Sequence, residues 1–414
     1  MISRNENVKL SFKVNAPESS VIAKRGERTT LRIDVTNGVV ICYTYYDFND
    51  NPLILTYNVN VGDTVDIVLM SFRLELYING ELIDENWPAG NRYFNLGDEL
   101  EGDIEIAQSS YAYAKKEEPA VIGTFRNAEG WRPADNIFVG DCMPYVCDGR
   151  YHVLYLKDRR HHSSKWSLGA HQWSHISTAD FEEWQIHPLA VEITDQFEAS
   201  ICTGSFIKAK GKYYLFYTVR NNDFYREIHS NNSFAYIRRS VSEDGYHFEK
   251  DESFGFTLSK KYHGPTSRDP KVVMDDNGLF HMLVTTSLME NSEGKEEGCL
   301  AHLVSEDLDT WTECDEPALL TGSAEQPECP DYFSYNGKYY MLGSIRGAAH
   351  YRISDKPFSD WRQPKKPVIE GATVPKGAVW GDKIVFTGFK NIDGYGGSMT
   401  FTSASFDEDG ELVF

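Results

Sequence analysis

The chain has 414 residues, of which 62 are Asp or Glu and 41 are Lys or Arg, for a formal net charge of −21. A surface of that sign repels nucleic acid and anionic membranes, and it favours a neutral substrate over a phosphorylated one. With 41% hydrophobic and 25% charged residues, the composition is that of a globular chain long enough for two or three domains, with core enough to need no disulfide or metal.

The first residues, MISRNENVKLSF, lack the apolar stretch of a secretion signal, and no run approaches membrane-spanning length, so a cytoplasmic protein is expected. The seven cysteines are irregularly spaced, as reduced thiols would be, and Cys142 and Cys147 do not form a zinc hook. From the start to residue 108, alternating β-type runs follow one another: Val8–Val14, Thr30–Val35, Val39–Tyr46, Leu53–Val59 and Val65–Ile78. Asn37-Gly38 and Asn79-Gly80 are tight hairpin signals. This segment reads as a β-sandwich. Residues 109–120, containing SSYAYAKKEEP, read as a polar linker.

From residue 121 to 414 the chain repeats itself. Five segments pair a Gly- or Asp-containing turn with an aromatic or apolar strand: DGRYHVLYL, KGKYYLFYT, DNGLFHMLV, YNGKYYMLG and WGDKIVFTG. After each of the first four comes an Asp and then an aromatic: Asp180 with Trp184, Asp244 with Phe248, Asp307 with Trp311, and Asp355 with Trp361. Repeats of this size match propeller blades, so an all-β chain is expected, a five-bladed β-propeller preceded by a β-sandwich.

Propeller blades aim the starts of their innermost strands at a central funnel, where acids far apart in sequence converge. Three acids precede the strand signals: Asp141 in VGDCMPYVCDG, Asp269 in SRDPKVV and Glu328 in EQPECPDYF. Glycoside hydrolysis needs two carboxyl groups flanking the scissile bond, and a third acid can hold ring hydroxyls and tune the other two. Position alone does not single these three out among 62 acidic residues.

From about Phe138 onward the chain resembles glycoside hydrolase family 32, the invertases, levanases and inulinases. FVGDCMPYVCDGRYHVLYL stands where the family has a WMNDPNG-type motif, and HQWSHISTADFEEWQIHPLAV, ICTGSFIKAKGKYYLFYT, SRDPKVV and ECPDYFSYNGKYYML match further motifs in the same order. The resemblance implies Asp141 as nucleophile, Asp269 as transition-state stabiliser and Glu328 as general acid/base. It further implies that Arg268, Thr203, Ser205 and Phe138 bind the substrate.

The chain also departs from the family. Phe138 and Gly140 replace the Trp and Asn before the nucleophile, Cys142 and Met143 the Pro-Asn after it, Leu156 the Gln that ends the next strand, and Cys202 an aromatic. The acids are kept while the sugar-gripping groups change, which puts the fructoside itself in question. The domain order differs too, since family members usually place the sandwich after the propeller. The expected activity is that of a retaining, exo-acting glycosidase on a small neutral furanoside. Its rivals are an inverting arabinofuranosidase or xylosidase like those of family 43, and a propeller that binds carbohydrate without catalysis. No cofactor is implied. Cys142, Cys202 and Cys329 adjoin the expected site, but buried apolar thiols are expected there rather than a nucleophile. His161, His162, His171 and His175 show no metal-ligand spacing.

Overall fold

The computed structural model describes residues 6–47, 51–159, 171–220 and 235–414. Among these, regular structure is strand apart from a single 3-10 turn at Gly264–Thr266, and no helix is long and apolar enough to cross a membrane. His161 and His162 lie outside the described residues.

Two antiparallel sheets make the N-terminal sandwich. One has the spatial order Ala107–Ser110, Val8–Lys13, Thr64–Leu69, Leu74–Ile78, Glu81–Asn86; the other Leu53–Asn58, Val39–Thr44, Arg28–Thr36, Ser19–Arg25, Glu101–Gly102. The period of two decides which side chains meet: Val8, Leu10 and Phe12 from one sheet and Val40 and Cys42 from the other enter a shared apolar core. Asn37-Gly38 and Asn79-Gly80 adopt paired positive φ (51° and 75°; 52° and 86°), the twist that tight hairpins require. The run Val65–Ile78 is two strands rather than one. The chain reverses where the Met70 N–H donates to the Arg73 carbonyl at 2.9 Å, a turn without the usual Gly or Pro marker. Ser110 pairs with Val8, so the sheet continues past residue 108.

Five blades follow. Their innermost strands are Ile137–Cys147, Ser200–Ala209, Arg268–Met274, Glu328–Tyr335 and Thr373–Trp380, each packed against the next and the fifth against the first, which closes the ring. Each pairs outward with a strand that carries one of the repeats: Arg150–Arg159, Lys212–Arg220, Phe280–Leu288, Lys338–Ile345 and Lys383–Asn391. The first and fifth blades also share one bridge, Val139 to Gly397. The recurring Asp builds the outer turn. Asp180, Asp244 and Asp307 each accept two or more backbone N–H bonds from the residues that follow, and the Trp184 and Trp311 indoles donate to the carbonyls of Phe181 and Leu308.

All five inner strands break register with their neighbours at the same place. The bulges fall between Val139 and Cys142, Ile201 and Gly204, Arg268 and Lys271, Glu328 and Asp331, and Thr373 and Lys376. Pro270, Pro330 and Pro375 fill the second bulge position in three blades, where no ladder donor is needed. In those blades the first position is left-handed: Asp269 at φ 56°, Cys329 at 52° and Val374 at 41°. Such conformations cost about 1–3 kcal/mol each and persist where the surroundings enforce them. The next slot plugs the axis with buried charges: Lys271 pairs with Asp331 at 2.6 Å, and the Lys376 ammonium donates across the ring to the Gly204 carbonyl at 3.1 Å.

Polar contacts bind the sandwich to the first blade. Glu85 lies 2.8 Å from both Lys157 and Arg159, and Arg73 contacts Glu192 at 2.7 Å and Gln172 at 3.2 Å. Burial alone would raise the Glu85 carboxyl, but Lys157, Arg159 and Arg73 outweigh it and hold the group well below the usual carboxylate range. The linker residues run along this seam, with the Tyr113 hydroxyl on Glu192 at 2.6 Å and Lys115 on the Phe248 carbonyl at 2.8 Å.

Candidate active site

The repeated bulge turns consecutive residues of each inner strand toward one end of the ring. There, Asp141, Asp269 and Glu328 line a single cavity of about 340 Å³, together with Arg268 and Thr203. The three carboxyl groups come from the first, third and fourth blades. They do not occupy one repeated slot: Glu328 stands just before its bulge, Asp269 at the first bulge position and Asp141 at the second.

Asp141 is held by several donors. The Thr203 hydroxyl reaches Oδ2 at 2.6 Å, the Cys329 thiol reaches Oδ2 at 3.2 Å, and the Tyr395 hydroxyl reaches Oδ1 at 3.0 Å. Asp269 accepts the Cys329 backbone N–H at 2.9 Å, and its own N–H donates to the Thr218 hydroxyl at 3.1 Å. Burial pushes the Asp269 carboxyl up, and the neighbouring charges of Asp141 and Glu328 add to this against the opposing pull of Arg268 and the Cys329 N–H. Arg268 lies 3.0 Å from Glu328 and 3.8 Å from Asp269, and it is oriented by donating to the Thr266 carbonyl at 2.7 Å and to Gln326 at 2.6 Å.

Two expected substrate contacts lie elsewhere. Ser205 does not line the cavity: its hydroxyl donates to the Pro270 carbonyl and accepts the Val272 N–H, both at 2.8 Å, and so ties the second blade to the third. Phe138 is also off the cavity, buried with the Arg132 guanidinium 4.8 Å over its ring. Ser205 is thus spent on the third blade, and Phe138 on the segment that leads into its own strand. Leu156 and Cys202 do line the cavity, as does Val374, and they form an apolar wall. Cys142 and Met143 are buried behind it, with the Met143 sulfur accepting the Gly204 N–H at 3.3 Å.

Burial pushes Cys202 up to about 12 and Cys142 and Cys329 well above their ordinary value, so none is a thiolate near neutrality. The sequence also hid a histidine cluster: His152, His175 and His187 meet on three adjacent strands of the first blade. Their nitrogens are largely spent on one another and on neighbours. His152 Nδ1 is 3.0 Å from His175 Nε2, His187 Nε2 is 2.8 Å from the Ser177 hydroxyl, and His187 Nδ1 is 2.5 Å from the Ala120 carbonyl. With these bonds the three rings form a hydrogen-bonded stack in the blade core.

The residue that motif reading missed is Tyr395, which enters from the loop between Lys383–Asn391 and Gly397–Phe406. Its one local signal is the glycine-rich DGYGG, which marks a constrained turn but names no partner.

A propeller with three convergent carboxyl groups at its axis belongs among the glycoside hydrolase propellers. The family model for the glycosyl hydrolases family 32 N-terminal domain matches residues 141–359, more than half of the chain, and the protein belongs to this family. Sucrose-6-phosphate hydrolase of Escherichia coli is 28% identical over 207 residues, 48% of this chain and 39% of that protein. Raffinose invertase of Escherichia coli is 24% identical over 208 residues, 48% of this chain and 40% of that protein. The chain thus spans about two fifths of the length of these relatives. Among solved structures, fructan 1-exohydrolase IIa from Cichorium intybus superposes with a TM-score of 0.54 at 15% identity, covering 70% of this chain and 60% of that one. A family 43 β-xylosidase/α-arabinofuranosidase from a compost microbial metagenome gives 0.52 at 15% identity, covering 70% and 98%. At these identities the likeness is one of fold.

Proposed function

We propose that the protein is a retaining, exo-acting glycosidase that hydrolyses a small neutral furanoside. The observation that carries this reading is the convergence of Asp141, Asp269 and Glu328 in one cavity, with Asp141 restrained by hydroxyl and thiol donors. Asp141 attacks the anomeric carbon while Glu328 protonates the leaving oxygen; Glu328 then takes a proton from the water that releases the sugar. Arg268 positions Glu328 through its guanidinium fork, and buried Asp269 faces the ring hydroxyls and the positive charge that develops on the sugar. Thr203 fixes the plane of the Asp141 carboxylate.

Charge in the cavity supports a neutral substrate. Its two arginines each lie against a carboxylate, Arg268 on Glu328 at 3.0 Å and Arg346 on Glu325 at 2.6 Å, so a phosphate would have to compete with these pairs. Relatives named as sucrose-6-phosphate hydrolases and as a raffinose invertase favour a fructoside. The apolar wall of Leu156, Cys202 and Val374 favours a ring gripped by fewer hydrogen bonds than sucrose offers.

A screen of purified protein against nitrophenyl and natural furanosides, with Asp141→Asn as control, tests the reading. Turnover that the substitution abolishes, with the anomeric configuration retained in the first product seen by proton NMR, is expected. Inversion would reassign the chemistry to the family 43 type, and sugar binding without turnover would leave a carbohydrate-binding propeller.

A further inference from the structure

We infer that Tyr395 is a positioning residue for Asp141, and that Gly140 is glycine to make room for it. The inference rests on the proposed role of Asp141 and adds a partner from the fifth blade that no motif supplies.

Space makes the first half of the case. A Cβ built on Gly140 would lie 2.6 Å from the Tyr395 hydroxyl oxygen and 3.0 Å from the Leu156 Cβ. Gly140 is not among the glycines with positive φ, so its backbone conformation does not demand glycine. What demands it is the phenol that fills the space beside the peptide leading into Asp141.

The second half is directional. The Tyr395 hydroxyl donates to Asp141 Oδ1 at 3.0 Å and accepts the Asp141 backbone N–H at 3.2 Å. One oxygen thereby holds the main chain and the carboxylate of the same residue, which fixes the side-chain rotamer. The ring is itself braced, 5.5 Å edge-on to Phe389 and 5.3 Å from His171. Its loop is closed by the Ile392 N–H on the Gly396 carbonyl at 3.1 Å, and Gly396, at φ 79°, approaches Asp158 so closely that a Cβ would meet Oδ2 at 2.9 Å. Burial and the charge of Asp141 push the phenol well above its ordinary value, so it remains a donor at any working pH.

Such a donor favours the ionised carboxylate, which a nucleophile crowded by Asp269 and Glu328 needs. The test follows the Asp141 carboxyl directly, by ¹³C NMR of γ-labelled aspartate, with its signal assigned as the one missing from Asp141→Asn. Tyr395→Phe removes only the hydroxyl. Gly140→Ala keeps the hydroxyl but closes its space. Both should raise the titration midpoint of Asp141 by about one pH unit. In an active enzyme, the acid limb of kcat/KM should move with it while KM changes less than about twofold. An unmoved midpoint in either variant overturns the inference, and either variant suffices should the other fail to fold. A midpoint that shifts in a protein turning over no furanoside would instead count against the proposed function and leave the clamp standing.

Discussion

The seam between sandwich and propeller and the cavity at the propeller axis each bury a carboxylate beside a guanidinium group, Glu85 in one and Asp269 in the other, and the two are shifted in opposite directions. At the seam, Glu85 meets Lys157, Arg159 and Arg73, and its carboxyl is held far down. In the cavity, Arg268 lies beside Glu328 and Asp269, and burial with the charges of Asp141 and Glu328 drives Asp269 up. Lys157, Arg159 and Arg73 together outweigh the burial of Glu85 and fix its charge. At Asp269 the pull of Arg268 does not offset burial and two neighbouring acids, so its carboxyl is raised.

Four substitutions would break or sharpen this contrast. Asp141→Asn should lower turnover by on the order of 10⁴-fold or more, the scale seen when a nucleophile is removed, with little change in melting temperature. Steady-state kinetics beside a thermal melt checks both halves. Glu328→Ala should cost roughly 10²–10⁴-fold on substrates with poor leaving groups and far less in the first step on activated aryl glycosides, which need little protonation. Comparing the two substrate types in one assay decides it.

At the seam the effect should fall on stability. Glu85→Gln leaves Lys157 and Arg159 buried without their counter-charge and should destabilise by about 3–5 kcal/mol in a denaturant titration. Because the folded-state value of Glu85 is depressed, its contribution is full above the unfolded value of about 4.3 and is lost as pH falls further. The gap between variant and parent should therefore close on acidification. Asp269→Asn should show the reverse sign. A carboxyl raised in the folded state is penalised as pH climbs through its unfolded value and then its folded one, so this variant should gain on the parent as pH rises from about 4. Melting curves from pH 3 to 8 would read both, and a common sign for the two would erase the distinction between seam and site.

Part of this arrangement was legible beforehand because it is written locally. Turn glycines followed by apolar strands recur whatever they pack against, and Asp141, Asp269 and Glu328 stand at the strand starts that any propeller turns toward its funnel. Ser205 and Phe138 sit in the same stretches yet miss the cavity, one bonded to the third blade and the other packed under Arg132. Glu85 carried no signal and Tyr395 only a glycine-rich turn that names no partner: one is 72 residues from its Lys157 partner and the other 254 residues from Asp141.

The sequence by itself therefore determined the all-β class and the number of repeats, because strand periodicity and turn chemistry act over a few residues, while the three acids were picked out by their resemblance to family motifs. Tertiary structure alone decided which groups surround those acids, how far Asp269 is raised and Glu85 lowered, and why position 140 has no side chain. Those properties depend on distances between blades, and they arise only when the ring closes and excludes water from the charges it brings together.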